Sequence, residues 1–269
     1  MTTKKTNETH DIATSNRLIE NLKPILFFEE EMTKFIEARS FDEAAKIKDT
    51  PLRLATLSFI YFCVSKTQDG IAYAEEALAL SPDDMITWKH YMLCVFWRKG
   101  PICALEVAKR ALKSVMSIEI CRNAMFYALQ SGDYDFMLEM FDTLSKTNKL
   151  EELVTAQREV SLMQQGISYA KLIKNANKAE TIKSLTALMY QKLDLEQKMG
   201  AFPQIIDLSD EDGQSYLFEL FVYNSDSKVC GKLNLELISE RVELGLTDWE
   251  VGCMFVSERK EIVLNARYT

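Results

Sequence analysis

The chain has 269 residues, enough for one large domain or two modest ones. Hydrophobic residues make up 47% of it, which supplies a core and excludes wholesale disorder, while 9 Gly and 5 Pro favour long helices over a turn-rich β-sandwich. The net charge of -8 opposes binding to a phosphate backbone, which is held chiefly by Lys and Arg, so no nucleic acid is expected as partner.

The N-terminus, MTTKKTNETHDIATSN, is polar and has no apolar signal-peptide core. No apolar stretch approaches the ~20 residues that span a bilayer, so the expectation is a cytoplasmic protein with no membrane contact. Residues 1–11 read as a flexible tail. A helical pattern starts near Ile12 and runs, with breaks, to about Met199. Turn-forming residues interrupt it near Arg39-Ser40, Gln68-Asp69-Gly70, Lys99-Gly100-Pro101 and Ser131-Gly132-Asp133. Their interval of roughly thirty to thirty-four residues is the scale of a helix-turn-helix repeat. Glu29-Glu30-Glu31 reads as the solvated face of a helix.

Small residues set the register. Ala74 and Ala77 recur as Ala108 and Ala111, each 34 residues on (108 - 74 and 111 - 77). Closely packed helix pairs need small side chains where their backbones approach. Pro82 follows Ala77 at a place where a proline can end the second helix of a unit. With Pro51 as the first position of a unit, Leu54, Leu57, Ser58 and Tyr61 fall on large, large, small and aromatic positions, followed by Gly70, Ala77 and Pro82. A unit from Met85 places Trp88, Tyr91, Ala104 and Ala111, and departs at Met92 and Met116. A unit from about Ile118 has Ala124, Ala128 and Phe141 after a one-residue shift, and a weaker one before Pro51 has Phe28, Phe35 and Ala44. On these residues, about 25–147 resembles the tetratricopeptide repeat family. The resemblance implies a mainly α fold, an α-solenoid of antiparallel helix pairs.

Residues 150–199 suggest two longer helices, about 150–175 and 178–199. Ile182, Leu185, Leu188, Met189, Leu193 and Met199 form an apolar stripe on the second. The pair reads as a hairpin capping the array, with a homodimer through residues 150–199 as the alternative. The helical domain is thus placed at 12–200. After Gly200-Ala201-Phe202-Pro203 the period changes, and 201–269 reads as a small α+β (β-α-β-β) domain. Its elements are a strand at Ser215–Tyr223, a helix at Leu235–Leu244 with Asn234 as N-cap, and strands at Trp249–Val256 and Glu261–Tyr268 joined by a turn over Ser257–Lys260.

Motifs for catalysis are lacking. There is no phosphate-cradling Gly loop, no HExxH and no nucleophile elbow. The 6 Cys form no CxxC pair, and His10 and His90 are the only histidines, so no metal site and no cofactor are expected. The cysteines read as buried small hydrophobes. Asp207, Asp210, Glu211 and Asp212 lack calcium-loop spacing and read as an ordinary acidic loop.

The resemblance implies that the first helix of each unit lines a concave groove. Carried over residue by residue, the groove positions are Ala55, Thr56, Phe59 and Phe62, then Lys89, His90, Leu93 and Trp97, then Arg122, Asn123 and Phe126. Lys89, Arg122 and Asn123 are similar in kind to a carboxylate clamp, without its full pattern. Aromatic residues beside them would supply apolar pockets. The opposing reading is that the aromatics pack internally. The functional expectation is a non-enzymatic adaptor, chaperone-like or regulatory protein that binds a protein or peptide, for instance one with a carboxylate-bearing segment. The alternatives are an enzyme or ligand sensor with a pocket near Tyr216, Phe218 and Trp249, and an atypical nucleic-acid-binding regulator.

Overall fold

A computed structural model describes residues 2–146, 157–211 and 213–257. Helices dominate to residue 200, and strands among the described residues begin only at Phe202. The order is α1 (Thr2–Leu26), α2 (Lys34–Ala44), α3 (Thr50–Cys63), α4 (Thr67–Leu80), α5 (Met85–Lys99), α6 (Pro101–Ser114), α7 (Ile118–Ser131) and α8 (Tyr134–Lys146). There follow α9 (Gln157–Asn175), α10 (Ala179–Lys192), α11 (Leu195–Gly200), β1 (Phe202–Asp207), β2 (Tyr216–Val222), α12 (Ser227–Glu243) and β3 (Val251–Ser257). The chain forms two compact units, Met1–Lys99 with Glu106–Ile120, and Gly100–Leu105 with Cys121–Thr269.

The sequence register is visible in the helix starts. α3, α5 and α7 begin at or beside Pro51, Met85 and Ile118, and each is followed by a second helix, giving consecutive helix pairs compatible with a helical repeat. In the first unit, Asp49 caps α3 by accepting from Leu52 N at 2.9 Å, and Pro51 sits in the first turn, where its missing N–H costs nothing. α3 and α4 approach closely because Gly70 has no side chain: a Cβ there would lie 2.7 Å from Phe62 Cδ2. Ser58 Oγ donates to Gly70 O at 2.7 Å across the same contact. Ala74 and Ala77 on α4, and Ala108 and Ala111 on α6, are all buried, as their small size at close approaches predicts. Two breaks fall where expected: Gly100 (φ 92°) and Gly132 (φ 70°) take the left-handed conformation between helices.

Four expectations for this region need correction. Gln68-Asp69-Gly70 is not a break but lies in the first turn of α4, and the chain turns instead at 64–66. Arg39-Ser40 is not a break but lies inside α2, with Ser40 buried. Residues 2–11, read as a tail, belong to α1, and Asp11 accepts from Lys48 N (2.9 Å) and Asp49 N (3.1 Å), tying α1 to the turn before α3. Glu29, Glu30 and Glu31 are exposed, yet in the turn after α1 rather than on a helix face.

In the second unit the helix expected at 178–199 is two, α10 and α11, broken at Leu193-Asp194; of its stripe Ile182, Leu185, Leu188, Met189 and Leu193 are buried and Met199 is half-buried. The sheet has the order β1-β2-β3, with β1 antiparallel and β3 parallel to the central β2. β2 alternates, burying Tyr216, Phe218, Leu220 and Val222. The described order is therefore β-β-α-β, not β-α-β-β. The expected strand Glu261–Tyr268 and its turn at 258–260 lie outside the described residues. The helix expected from Leu235 begins at Ser227, capped by Asp226, which accepts from Val229 N at 2.8 Å. Asn234 is no cap. Its amide exchanges hydrogen bonds with the backbone of Phe255, at 2.7 and 3.0 Å. Arg241 donates to Val251 O at 3.0 Å, so two α12 side chains bond the β3 backbone as a further strand would.

Candidate functional site

α3 and α5 lie in one unit, and their expected groove residues are used mainly for internal packing. Thr56 is fully buried. Its hydroxyl donates to Leu52 O at 2.7 Å and is 2.8 Å from the Ser15 hydroxyl of α1. Phe59 is 1% exposed and meets the His90 ring edge-on, with centroids 5.8 Å apart. Phe62 is buried beneath Gly70, whereas Ala55 and Leu93 are half-buried. Trp97 packs on Phe27, just past the end of α1, at 4.8 Å between ring centroids. Ser15 of α1 and Phe27 just beyond it thus occupy part of the face assigned to a peptide.

Besides the exposed Ile86, α5 leaves a polar group partly open. Lys89 pairs with Glu119 of α7, and both side chains are partly exposed (36% and 50%). His90 beside it is half-buried. Burial, reinforced by the positive charges of Lys23 and Lys89, lowers its pKa to about 4, so it is neutral at physiological pH. A small recess lined by Ala55, Ser58, Phe59, Thr87, His90 and Tyr91 lies alongside. Its size suits a water rather than a ligand. Arg122, Asn123 and Phe126 lie half-buried on α7 in the other unit, and Phe126 is 6.0 Å from Tyr127 between ring centroids.

One buried charge of the first unit was not singled out by the sequence. Arg98, 9% exposed, donates from Nε to Phe62 O (2.8 Å) and from Nη1 to Leu26 O (3.0 Å). Its guanidinium lies 4.5 Å from the Phe28 ring centroid. These carbonyls belong to the last turns of α3 and α1, where the helix dipoles concentrate negative charge. Phe28 itself holds φ 61° to end α1. In the second unit, Gln130 Oε1, Tyr134 OH and Tyr190 OH are buried without a hydrogen-bond partner among the described residues. Burial raises the pKa of both phenols, so both stay protonated. No sequence signal distinguishes these from ordinary core aromatics.

Other expected residues are dispersed. Tyr216 and Phe218 belong to the core of the sheet, while Trp249 is 84% exposed, so the three do not share one environment. Asp207 and Asp210 accept from the backbone N–H of Ser209 (3.0 Å) and Gly213 (3.2 Å) as loop turns do, and Asp212 lies outside the described residues. Four of the cysteines, 63, 94, 121 and 230, are buried, and Cys103 and Cys253 are half-buried. Among the described residues no helix is long and apolar enough to cross a membrane. No family model, no curated protein sequence and no solved structure matches this chain.

Proposed function

We propose that this chain is a non-enzymatic binding protein, an adaptor or regulator of the tetratricopeptide-like kind, which recognises a peptide or protein through polar side chains on the first helices of its helix pairs. The observation that carries the reading is Lys89. It stands half-exposed on α5 and already holds a carboxylate, that of Glu119. An incoming carboxylate would replace an exposed ion pair of small intrinsic worth, so the exchange costs little. On α7, Arg122 and Asn123 offer a second set of donors of the chemistry that carboxylates and peptide backbones accept. The neutral imidazole of His90 and the half-buried Leu93 and Trp97 add apolar contact beside Lys89.

Thr56 and Phe59 are core residues and drop out of the proposed contact set. The test is an array of peptides presented with free or amidated C-termini, probed with the full chain. Selective retention on free carboxylates, lost in Lys89→Ala, is the expected result. Equal retention on both forms, or none on either, would remove the carboxylate reading.

A further inference from the structure

The largest apolar surface left open in the second unit lies on α12. Cys230 and Leu237 point inward and are buried, and Asn234 and Arg241 are engaged with β3. On the adjoining side Leu235 (71% exposed), Ile238 (60%) and Val242 (60%) stand at i, i+3 and i+7, a continuous stripe along one helix face. Gly231, one turn before Leu235, continues the stripe without a side chain, and a Cβ built on it meets nothing within 4 Å. Val229 (40%) and the C-cap Leu244 (59%) are also exposed, on other sides of the helix, and Trp249 (84%) follows in the loop. Solvated helices do not ordinarily carry such a stripe, and apolar patches of several hundred Å² mark interaction sites.

From this face we infer that α12 is a self-association surface, docking antiparallel on α12 of a second copy of the chain. The charge pattern selects the occupant. Lys228 and Lys232 make the N-terminal half of the helix basic, and in the C-terminal half Glu236, Glu240 and Glu243 outnumber Arg241; Glu240 pairs with Lys192, and Lys232 and Glu236 are 3.8 Å apart at exposed positions. A two-fold antiparallel pair brings each basic half alongside the acidic half of the other copy, and it also opposes the two helix dipoles. Parallel pairing would set like charges together. One register satisfies the apolar groups as well. With Leu235 of one copy facing Ile238 of the other, Gly231 faces Val242, since each pair of numbers sums to 473. The glycine then gives the bulkier valine room at the close approach. Addition of a strand to β3 is the competing mode, but Asn234 and Arg241 already bond the backbone of Phe255 and Val251.

The test is sedimentation equilibrium of the full chain from micromolar to sub-millimolar concentration, with three variants checked by circular dichroism. These are Ile238→Lys, Lys228→Glu/Lys232→Glu and Glu236→Lys/Glu243→Lys, all at exposed positions and so tolerated by the fold. The wild type is expected to dimerise with concentration, Ile238→Lys to remain monomeric, and each charge variant alone to weaken dimerisation by about tenfold or more. An equimolar mixture of the two charge variants is expected to recover association, because each then supplies the sign the other lost. A wild type that stays monomeric throughout would overturn the proposal. So would dimerisation that survives Ile238→Lys, or charge variants whose mixture associates no better than either alone.

Discussion

Removing Arg98 should unlock the first unit. The guanidinium is almost completely buried, and both its hydrogen bonds among the described residues end on carbonyls, Phe62 O at 2.8 Å and Leu26 O at 3.0 Å, rather than on a carboxylate. Burial lowers its pKa from the usual arginine value, yet an arginine so lowered remains charged. A hydrogen bond to a charged group contributes about 1.5–3 kcal/mol, so the two together are worth about 3–6 kcal/mol before the cost of desolvating the cation is returned. Arg98→Met keeps most of the apolar stem and removes the charge, and we expect it to destabilise by about 1–3 kcal/mol. Arg98→Ala also opens a cavity, and about 3–5 kcal/mol is expected. Urea denaturation followed by tryptophan fluorescence in a Trp249→Phe background confines the signal to Trp88 and Trp97, both in the first unit. A fall in midpoint at constant slope gives the stability change. If Arg98→Met proved as stable as the parent, the two helix ends would not depend on the cation, and this account of how α1 is held to α3 and α5 would be wrong.

Other outcomes follow from the same packing and charges. Ala77→Leu and Ala111→Leu should each destabilise by about 1–3 kcal/mol through overpacking, because both alanines are fully enclosed; denaturation midpoints equal to the parent's would show that the register is misplaced. Lys89→Ala should change stability by less than about 1 kcal/mol, since its pair with Glu119 is partly exposed; a larger loss in thermal unfolding would make the pair structural. His90 should make stability fall with acid. Its folded pKa near 4 lies below the unfolded value, so the unfolded chain binds more protons, and stability present above pH ~6.5 is lost as pH drops towards 4. With partial exposure taken into account, the loss is on the order of 1–3 kcal/mol. His90→Gln should flatten that part of the profile, and an NMR titration placing His90 near pH 6.5 would refute the burial argument.

The parts of the fold legible in the sequence are those fixed by local chemistry. Pro51, Gly100-Pro101 and Gly132 mark helix boundaries because their backbone constraints act whatever lies around them. The alanines of α4 and α6 repeat because close approach recurs at one spacing. Elements decided by distant partners were not legible. The start of α1 is polar, with no apolar period to betray it, and the role of Asp11 emerges only when the turn at Lys48-Asp49 comes to it. Arg39-Ser40 looks like a turn, but Ser40 is buried within α2. β1 is short and carries Pro203, which an edge strand tolerates and a reading for strands discounts. Of the groove residues, Thr56 shows the difficulty most clearly. A threonine on a first helix reads as solvated, and what buries it is the Ser15 hydroxyl, 41 residues away.

The most direct measurement is a binding isotherm for a free-carboxylate peptide selected on the array, taken with the parent chain, with Lys89→Ala and with Arg122→Ala. Each variant would be shown folded by circular dichroism and thermal unfolding. The account predicts at least about a tenfold loss of affinity for Lys89→Ala, a smaller loss or none when the peptide is amidated, and unchanged melting for that variant. Affinity unchanged in both folded variants would contradict it, and would remove the first-helix side chains as the recognition surface.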